Sequence, residues 1–537
     1  MTQPMDDAVD QLRADYDETP YTSDAFPQSA PGQLAAIAHL FGLETRDLSS
    51  ARVLEIGCAA AGNLIPFAVA QPQARVVGID LSPVQIDRGR TRVKALGLTN
   101  LELLAGDIAG MDLAALGEFD FIICHGVYSW VPENVQDAIL SALRRLLAPE
   151  GVAYLSYNVY PGWKAKEIMR DAMLLASGTS TTPHDKVREA RQMVDFLEEV
   201  APADGVLRRV LAEFKARDKA FGDSYLLHDE LEAFNTPCYF YEMVSRAGGH
   251  GLAYLAEARP ETMVPANHGP KVAEHLLEKC GGVQVLVEQY LDFVTNRVFR
   301  ESLLVHAERA PLIRYDPDAG RYARLHVAAW TPAVDGPTRL DTSRQEYLES
   351  DGAKLFTNDP GIKAVLEVLN GRWPWTISRP ELIAAVQAEL VAASLTPSPN
   401  LPNHIDNLLG TLILQGQARF RLDPVLPAPT STPLRLDEPL RRMAELTRGD
   451  SDASIFNLWH ETVIPSPVDR QLLPLLDGTR DRDGLLDDLL AIVRGDPGSI
   501  GYDPDELSDV AALRDTLAEQ VDTLPQRLAA MKLLRAV

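Results

Sequence analysis

Three acidic residues, each placed just where a short apolar run ends, are the residues of this chain best suited to chemistry. Glu55 lies in Val53-Leu-Glu-Ile-Gly-Cys-Ala-Ala-Ala-Gly-Asn63, where Val53, Leu54 and Ile56 read as a buried strand, Gly57 as a sharp turn, and Gly62-Asn63 as the opening of a helix to Ala70. Asp80 ends the run Arg75-Val-Val-Gly-Ile-Asp80, and Asp107 follows Leu101-Glu-Leu-Leu-Ala within Gly106-Asp107-Ile108. A strand that turns through small residues into a helix gathers backbone N–H groups and a helix N-terminus at one point. An acid ending the next strand can accept both hydroxyls of a ribose. A carboxylate one strand further can accept from an adenine amino group, with Ile108 on the ring. One glycine-rich turn says little; acids at three successive strand ends are far more specific.

The ligand is not a dinucleotide or a nucleoside triphosphate. The spacing G-x-G-x-x-G, which brings backbone close to a pyrophosphate, is missing, and so is G-x-x-x-x-G-K-[ST]. Gly57, Ala59 and Ala61 stand instead in a G-x-G-x-G-like pattern. Glu55 suits a cation better than an anion. S-adenosylmethionine, with an ammonium, a sulfonium and no phosphate, fits the three acids.

The elements that must position these residues are legible as alternating strands and helices. Ser82-Pro83 caps a helix to about Leu96, Phe119–Cys124 is a fourth strand ending at His125-Gly126, 132–147 is an amphipathic helix, and Gly151–Tyr157 is a fifth strand. Five such strands imply an α/β, Rossmann-like, doubly wound parallel sheet. Beyond Asn158 the pattern predicts helices over 163–176, 184–217 and Leu231–Arg246, a strand at Gly251–Glu257, a helical block over 270–299 and a strand at Ser302–His306. The two strands are expected to return to the sheet edge, leaving helical insertions at 177–222 and 259–299. Residues 311–345 read as a linker or a small irregular sheet. From 346 the chain is mainly α. There Ala364–Gly371 is echoed by Gln471–Gly478, each followed by a turn and a helix (379–392 and 484–493), and Gln417–Arg421 adds a strand; winged-helix modules or two αα units give this echo. The expected division is an N-terminal arm and helix at 1–50, a cofactor-binding core at 51–176, insertions and returning strands at 177–310, the linker at 311–345, and C-terminal domains at 346–537.

The chain has 537 residues, 46% hydrophobic and 24% charged, which calls for about two to four domains of ordinary globular composition. A net charge of −25 argues against nucleic acid, permits a lysine-bearing protein partner, and by itself is what a solubilising surface looks like. Cys58, Cys124, Cys238 and Cys280 lack metal-ligand spacing and read as reduced core thiols, so no metal is expected. The opening residues lack a basic region followed by an apolar run, and no apolar run reaches about 18 residues, so the expectation is a cytoplasmic protein with no signal peptide and no membrane span.

The stretches E-I-G-C-A-A-A-G, V-V-G-I-D-L-S-P-V-Q and G-D-I resemble the cofactor motifs of the class I S-adenosylmethionine-dependent methyltransferases, firmly over 51–158 and less so over 225–307. The resemblance implies backbone at Gly57 and Cys58 for the methionine moiety, Asp80 for ribose, Asp107 for adenine and His125 near the sulfonium. The candidate cofactor set is Glu55, Gly57, Cys58, Asn63, Asp80, Leu81, Gln85, Asp107, Ile108 and His125. Two glycines of the usual motif are Ala59 and Ala61 here. A narrower resemblance rests on His125-Gly-Val-Tyr-Ser-Trp-Val-Pro132, Tyr157-Asn-Val-Tyr-Pro-Gly-Trp163, Glu288–Arg300, Phe26-Pro-Gln and Leu475–Arg480. It is to bacterial protein-lysine methyltransferases of outer-membrane protein B, and to proteins with a methyltransferase regulatory domain. It implies N-methylation of lysine on a protein substrate, an outer-membrane protein precursor being one such substrate, and it is compatible with a homodimer.

A lysine amine with a pKa of ~10.4 costs about 4–5 kcal/mol to neutralise near pH 7, and desolvation lowers that cost. Tyr128, Trp130, Tyr157, Tyr160 and Trp163, in two loops after neighbouring strands, could form an aromatic cage for the amine, or Tyr157 and Trp163 could be ordinary packing residues. His125 could accept a proton or serve as a loop histidine with a structural hydrogen bond. Asn158 could orient the amine. The candidate catalytic set is His125, Tyr128, Trp130, Asn158 and Tyr160. Two other functions remain open at this point: a small-molecule methyltransferase with a closed pocket, and an inactive cofactor-binding scaffold.

Overall fold

The computed structural model describes residues 13, 17, 23–180, 182–232, 234–350, 352–426, 432–449, 454–501 and 510–534. Seven strands form one sheet: β1 Arg52–Ile56, β2 Arg75–Asp80, β3 Leu101–Ala105, β4 Phe119–Cys124, β5 Leu147–Asn158, β6 Leu252–Glu257 and β7 Phe299–His306, in the order β3-β2-β1-β4-β5-β7-β6. β1 runs parallel to β2 and β4, and β2 parallel to β3. The chain steps outward from β1 to β3 and then returns to β4 on the other side of β1. That reversal makes a topological switch point beyond the carboxyl ends of β1 and β4, where open α/β sheets bind ligands. β7 is antiparallel to both β5 and β6, so the two late strands do return to the sheet edge. β4 is buried at every position, which is why it reads as an apolar run rather than an alternating one, broken only by Asp120, whose Oδ2 accepts the Arg52 N–H at 2.8 Å.

The chain divides into two compact units. One comprises Cys124–Leu146 and Ala153–Pro311; the other comprises Leu147–Val152, Leu312 onward and the residues up to Ile123. In the second of these, His326–Ala329 lies within the stretch expected to be a linker or a small irregular sheet. It is the central strand of a three-stranded sheet, antiparallel to Ile377–Ser378 and Ala418–Arg421. With the helices Pro360–Arg372, Arg379–Ala392 and Leu401–Leu414 it forms a module of winged-helix order. The capping box at Ser378 and Glu381 starts the second of these helices. Further on come the helix Glu438–Thr447, the antiparallel pair Ile455–Phe456 and Thr462–Val463, and the helices Arg482–Gly495 and Val510–Asp522. The echo at Gln471–Gly478 is shorter than its counterpart: the helix Pro467–Leu472 passes into a tight 3-10 turn at Leu473–Leu475.

In the other unit three helices, Gly162–Ser177, Pro183–Val200 and Val206–Tyr225, bury Met169, Met173, Val187, Ala190, Val194, Leu211 and Phe214 together. The helix expected over Leu231–Arg246 is confined to Phe240–Gly249. Pro237 has no N–H to give a helix and pushes its predecessor out of the helical region. The flanking N–H groups of Thr236 and Cys238 donate to the Ser129 and Asn158 carbonyls instead. The helical block over 270–299 is two helices, Pro270–Cys280 and Gln284–Thr295, parted by Gly281 and Gly282 at φ +55° and +79°. Arg300 of β7 is fully buried and ion-paired with Glu257 (2.7 Å), Glu288 (3.0 Å) and Asp292 (2.8 Å), with Phe240 beneath its guanidinium. The Glu288–Arg300 stretch is therefore an internal ion network tying the helix Gln284–Thr295 to β6 and β7.

Candidate functional site

Glu55 is buried within β1, and burial pushes its carboxyl up to about 8; the hydrogen bond from Asn63 opposes this and the charge of Asp80 adds to it. Its Oε1 accepts from Asn63 Nδ2 at 2.8 Å, while Oε2 is buried with no partner. A carboxylate oxygen in that state is the natural seat for a ligand cation. The turn beyond β1 takes left-handed backbone at Gly57 (φ +78°), Ala59 (φ +47°) and Ala61 (φ +65°). The two alanines thus hold the conformation that glycine would hold freely, at a strain of about 1–2 kcal/mol each. The N–H groups of Gly57 and Cys58 both donate to the Ile79 carbonyl, at 2.8 and 3.1 Å, tying the turn to β2. The Cys58 thiol is buried and held protonated by that burial.

Asp80 cross-links the same region: Oδ2 accepts the Ala59 N–H (2.7 Å) and Oδ1 the Ser82 N–H (2.9 Å). Burial raises its pKa while these two N–H donors oppose the rise, and each oxygen keeps a lone pair for a hydroxyl. Leu81 is half-buried and Gln85 buried, with the Gln85 N–H capped by Ser82 Oγ. Asp107 Oδ1 accepts the Ala109 N–H at 2.9 Å, and Ile108 is buried beside it. These residues fit S-adenosylmethionine. The unpartnered Glu55 Oε2 matches its ammonium, and the donor set holds acids and apolar side chains. Among the described residues no group of three or more His, Cys, Asp or Glu could hold a metal ion.

Asn63, the last residue of the motif, is a hub. Its Oδ1 accepts the Phe26 N–H and His460 Nε2–H, each at 2.9 Å, and its Nδ2 donates to Ser29 Oγ at 3.0 Å and to Glu55. Gly62 is glycine for a related reason: a Cβ there would lie 2.0 Å from the Ser23 carbonyl oxygen, and the Gly62 N–H donates to Ser23 Oγ. Likewise a Cβ on Gly78 would lie 2.7 Å from Cys58 Sγ. Ser23, Ser29 and His460 were not singled out from the sequence. The N-terminal arm is expected from the sequence, with Phe26 of the Phe26-Pro-Gln run its one residue of this layer picked out there, and nothing local marks His460.

The catalytic candidates belong to the other unit. His125 Nδ1 is 2.8 Å from Tyr154 Oη, whose hydroxyl donates to Glu301 Oε1 at 3.2 Å; Glu301 in turn meets Arg259 at 3.1 Å. Since Tyr154 donates onward, His125 Nδ1–H is the donor to Tyr154 and Nε2 is the basic nitrogen. Burial, then the charge of Arg259, pushes the His125 imidazole down to about 4, so it is neutral at pH 7. Tyr128, Tyr157 and Trp163 are buried, and the Tyr157 hydroxyl pairs with Ser302. Trp130 is also buried, edge-on to Trp163 at 6.0 Å. Burial pushes the Tyr128 phenol up to about 12. Asn158 is buried and donates from Nδ2 to Asn235 Oδ1 at 2.9 Å. Tyr160 alone of the five aromatics is half-buried; its hydroxyl donates to Glu167 at 2.6 Å, Lys164 Nζ lies 3.8 Å over its ring, and Tyr239 packs beside it at 5.4 Å. The structure therefore packs four of the proposed cage residues as core and leaves Tyr160 at the surface, where a lysine ammonium already sits on its face.

Comparison with known proteins gives three family matches: a methyltransferase domain over 53–151, a predicted methyltransferase regulatory domain over 222–306, and the C-terminal winged helix domain of PKMT over 439–533. An uncharacterized protein of Rickettsia prowazekii is 31% identical over 97% of this chain and 93% of its own length. A second uncharacterized protein of the same organism is 37% identical over 43% of this chain and 93% of its own. The solved structure of PKMT2 from Rickettsia typhi in complex with AdoHcy matches with a TM-score of 0.81 at 27% identity, covering 96% of this chain and 100% of that one. A second structure of PKMT2 from Rickettsia typhi matches with a TM-score of 0.80 at 26% identity, covering 96% of this chain and 99% of that one.

Proposed function

For a chain that belongs to the class I S-adenosylmethionine-dependent methyltransferases of the PKMT type, we propose that the reaction is N-methylation of lysine side chains on a protein substrate. The observation that carries this reading is the whole-length likeness to Rickettsia typhi PKMT2, which runs through the helical insertions and the C-terminal modules as well as the cofactor core. A lysine-bearing substrate also suits a chain of net charge −25.

When bound, S-adenosylmethionine supplies a methyl group on a sulfonium. The protein's part is to hold it and to handle the lysine proton. Glu55 Oε2 takes the ammonium of the methionine end, Asp80 the ribose hydroxyls, and Asp107 with Ile108 the adenine, with Leu81 and Gln85 flanking. A lysine must arrive at the sulfonium as a free amine, which costs about 4–5 kcal/mol near pH 7. His125 is the proposed proton acceptor at Nε2. As it accepts there, Nδ1–H passes its proton to Tyr154 Oη and Tyr154 passes its own to Glu301 Oε1, along contacts of 2.8 and 3.2 Å. A neutral imidazole is the state this relay needs. Tyr128 and Trp130 keep water from the region and Asn158 orients the amine, while the Tyr160 face is taken by Lys164.

Incubation with S-adenosylmethionine labelled in its methyl group and a whole-cell lysate tests the proposal. Label in a protein band, recovered as methyl-lysine after hydrolysis, is the expected result. Label in a small molecule, or none, refutes the lysine reading.

A further inference from the structure

The turn that carries His460 holds a backbone conformation uncommon outside glycine. His460 sits between the strands Ile455–Phe456 and Thr462–Val463 at φ +61°, a left-handed conformation that glycine or asparagine takes more easily. Asn457 Oδ1 already shapes the turn by accepting the N–H groups of Trp459 and Glu461. The ring is buried, and burial with the nearby Arg421 charge pushes its pKa down to about 3, so it is neutral. In return the side chain makes a hydrogen bond, Nε2–H to Asn63 Oδ1, across 397 residues of sequence.

That bond acts on more than Asn63. With two donors on its oxygen, the Asn63 amide cannot rotate, and its Nδ2 must face Ser29 and Glu55. One Glu55 oxygen is then held, and the other remains turned away with no protein partner. The chain's N-terminal strip lies in the same assembly: Ala25 N–H donates to Thr462 Oγ1 at 2.8 Å, and Ser454 Oγ to Asp24 Oδ1 at 3.1 Å. We propose that His460 is a positioning residue for the cofactor: by fixing Asn63 it fixes Glu55 toward the methionine ammonium, and the C-terminal region thereby completes the cofactor site. The proposal rests on the reading of Glu55 as the ammonium's partner.

The test is calorimetric binding of S-adenosylmethionine to the full chain, with thermal unfolding as a control. His460→Phe keeps the ring and removes the donor; His460→Gln keeps a donor of similar reach; His460→Gly relieves the backbone and is read in place of His460→Phe if that variant does not fold. Loss of the donor should weaken binding by about tenfold, with His460→Gln within about threefold of wild type. The pH at which binding releases half a proton should also rise, because Glu55 loses the Asn63 bond that favours its charge; a purely structural role would not move it. Wild-type affinity in His460→Phe or His460→Gly, or His460→Gln as weak as His460→Phe, overturns the proposal. Glu55→Gln separates the two readings. If it binds as wild type, the role of Glu55 falls and this proposal with it. If it binds weakly while His460→Phe does not, only the role of His460 falls.

Discussion

Binding of S-adenosylmethionine should release a proton, and Glu55→Gln should abolish that release. Burial places the Glu55 carboxyl at about 8. Such a group is about nine-tenths protonated at pH 7 and about one-tenth protonated at pH 9. A ligand ammonium at Oε2 supplies the opposite charge that the buried site lacks, and so drives the carboxyl to its ionised form. Binding at pH 7 then releases about 0.9 proton, falling to about 0.1 at pH 9. Ionising the group costs about 1.4 kcal/mol at pH 7, so affinity measured there is about tenfold below its value with Glu55 already charged. The assay is titration calorimetry in buffers of different ionisation enthalpy, where the slope of observed enthalpy counts the protons. In Glu55→Gln the amide oxygen can still accept from Asn63, but nothing titrates, so the slope at pH 7 should fall by about 0.9 proton. Asp80 is also shifted up by burial, and Asp80→Asn measures its share separately. A wild-type slope near zero at pH 7 with tight binding, or an unchanged slope in Glu55→Gln, would refute the assignment.

Ala61→Gly should stabilise the protein by about 1 kcal/mol, read from urea unfolding: relief of left-handed strain at φ +65° outweighs glycine's extra freedom in the unfolded chain. Arg300→Leu should destabilise it by about 3–5 kcal/mol, because Glu257, Glu288 and Asp292 are left buried together without their cation. Acid should destabilise the fold through His125. The folded ring binds a proton only near 4 and the unfolded one near 6.5, so neutral burial contributes fully above 6.5 and its contribution is lost as pH falls towards 4, to at most about 3 kcal/mol. Stability measured from pH 7 to pH 4 should therefore fall less steeply in His125→Gln, and an equal slope would contradict the burial argument.

The strands β2 and β4 begin and end where the sequence pattern places them, at Arg75–Asp80 and Phe119–Cys124. Strands covered on both faces are short apolar runs with polar punctuation, and that signal is local. What is not local was not legible. Leu231–Arg246 has helical periodicity, yet Pro237 and two tertiary hydrogen bonds keep residues 234–239 out of the helix. His326–Ala329 gains strand structure only by pairing with segments about 50 and 90 residues downstream. The aromatics after β4 and β5 have the composition of a cage, but composition does not say which rings the core will claim. Tyr157, whose hydroxyl is satisfied by Ser302, is claimed; Tyr160 is not.

The motif itself shows why residue identity and backbone role must be read apart. Ala59 and Ala61 stand where glycines are usual and still take left-handed backbone, so the turn's shape is imposed by its surroundings: the N–H of Ala59 is held by Asp80, and those of Gly57 and Cys58 by Ile79. Gly62, one residue past the pattern's last position, is required for another purpose, the passage of Ser23 against its Cα. A pattern search counts the two alanines as departures and passes over Gly62. Physically the first two bear strain that the sheet edge sustains, and the third admits the chain's own N-terminal strip, which joins Asn63 and the hairpin of His460 in one hydrogen-bonded layer. The departure at two alanines therefore leaves the ligand site intact, whereas a side chain at Gly62 would part the strip from the turn and loosen Asn63, and with it Glu55.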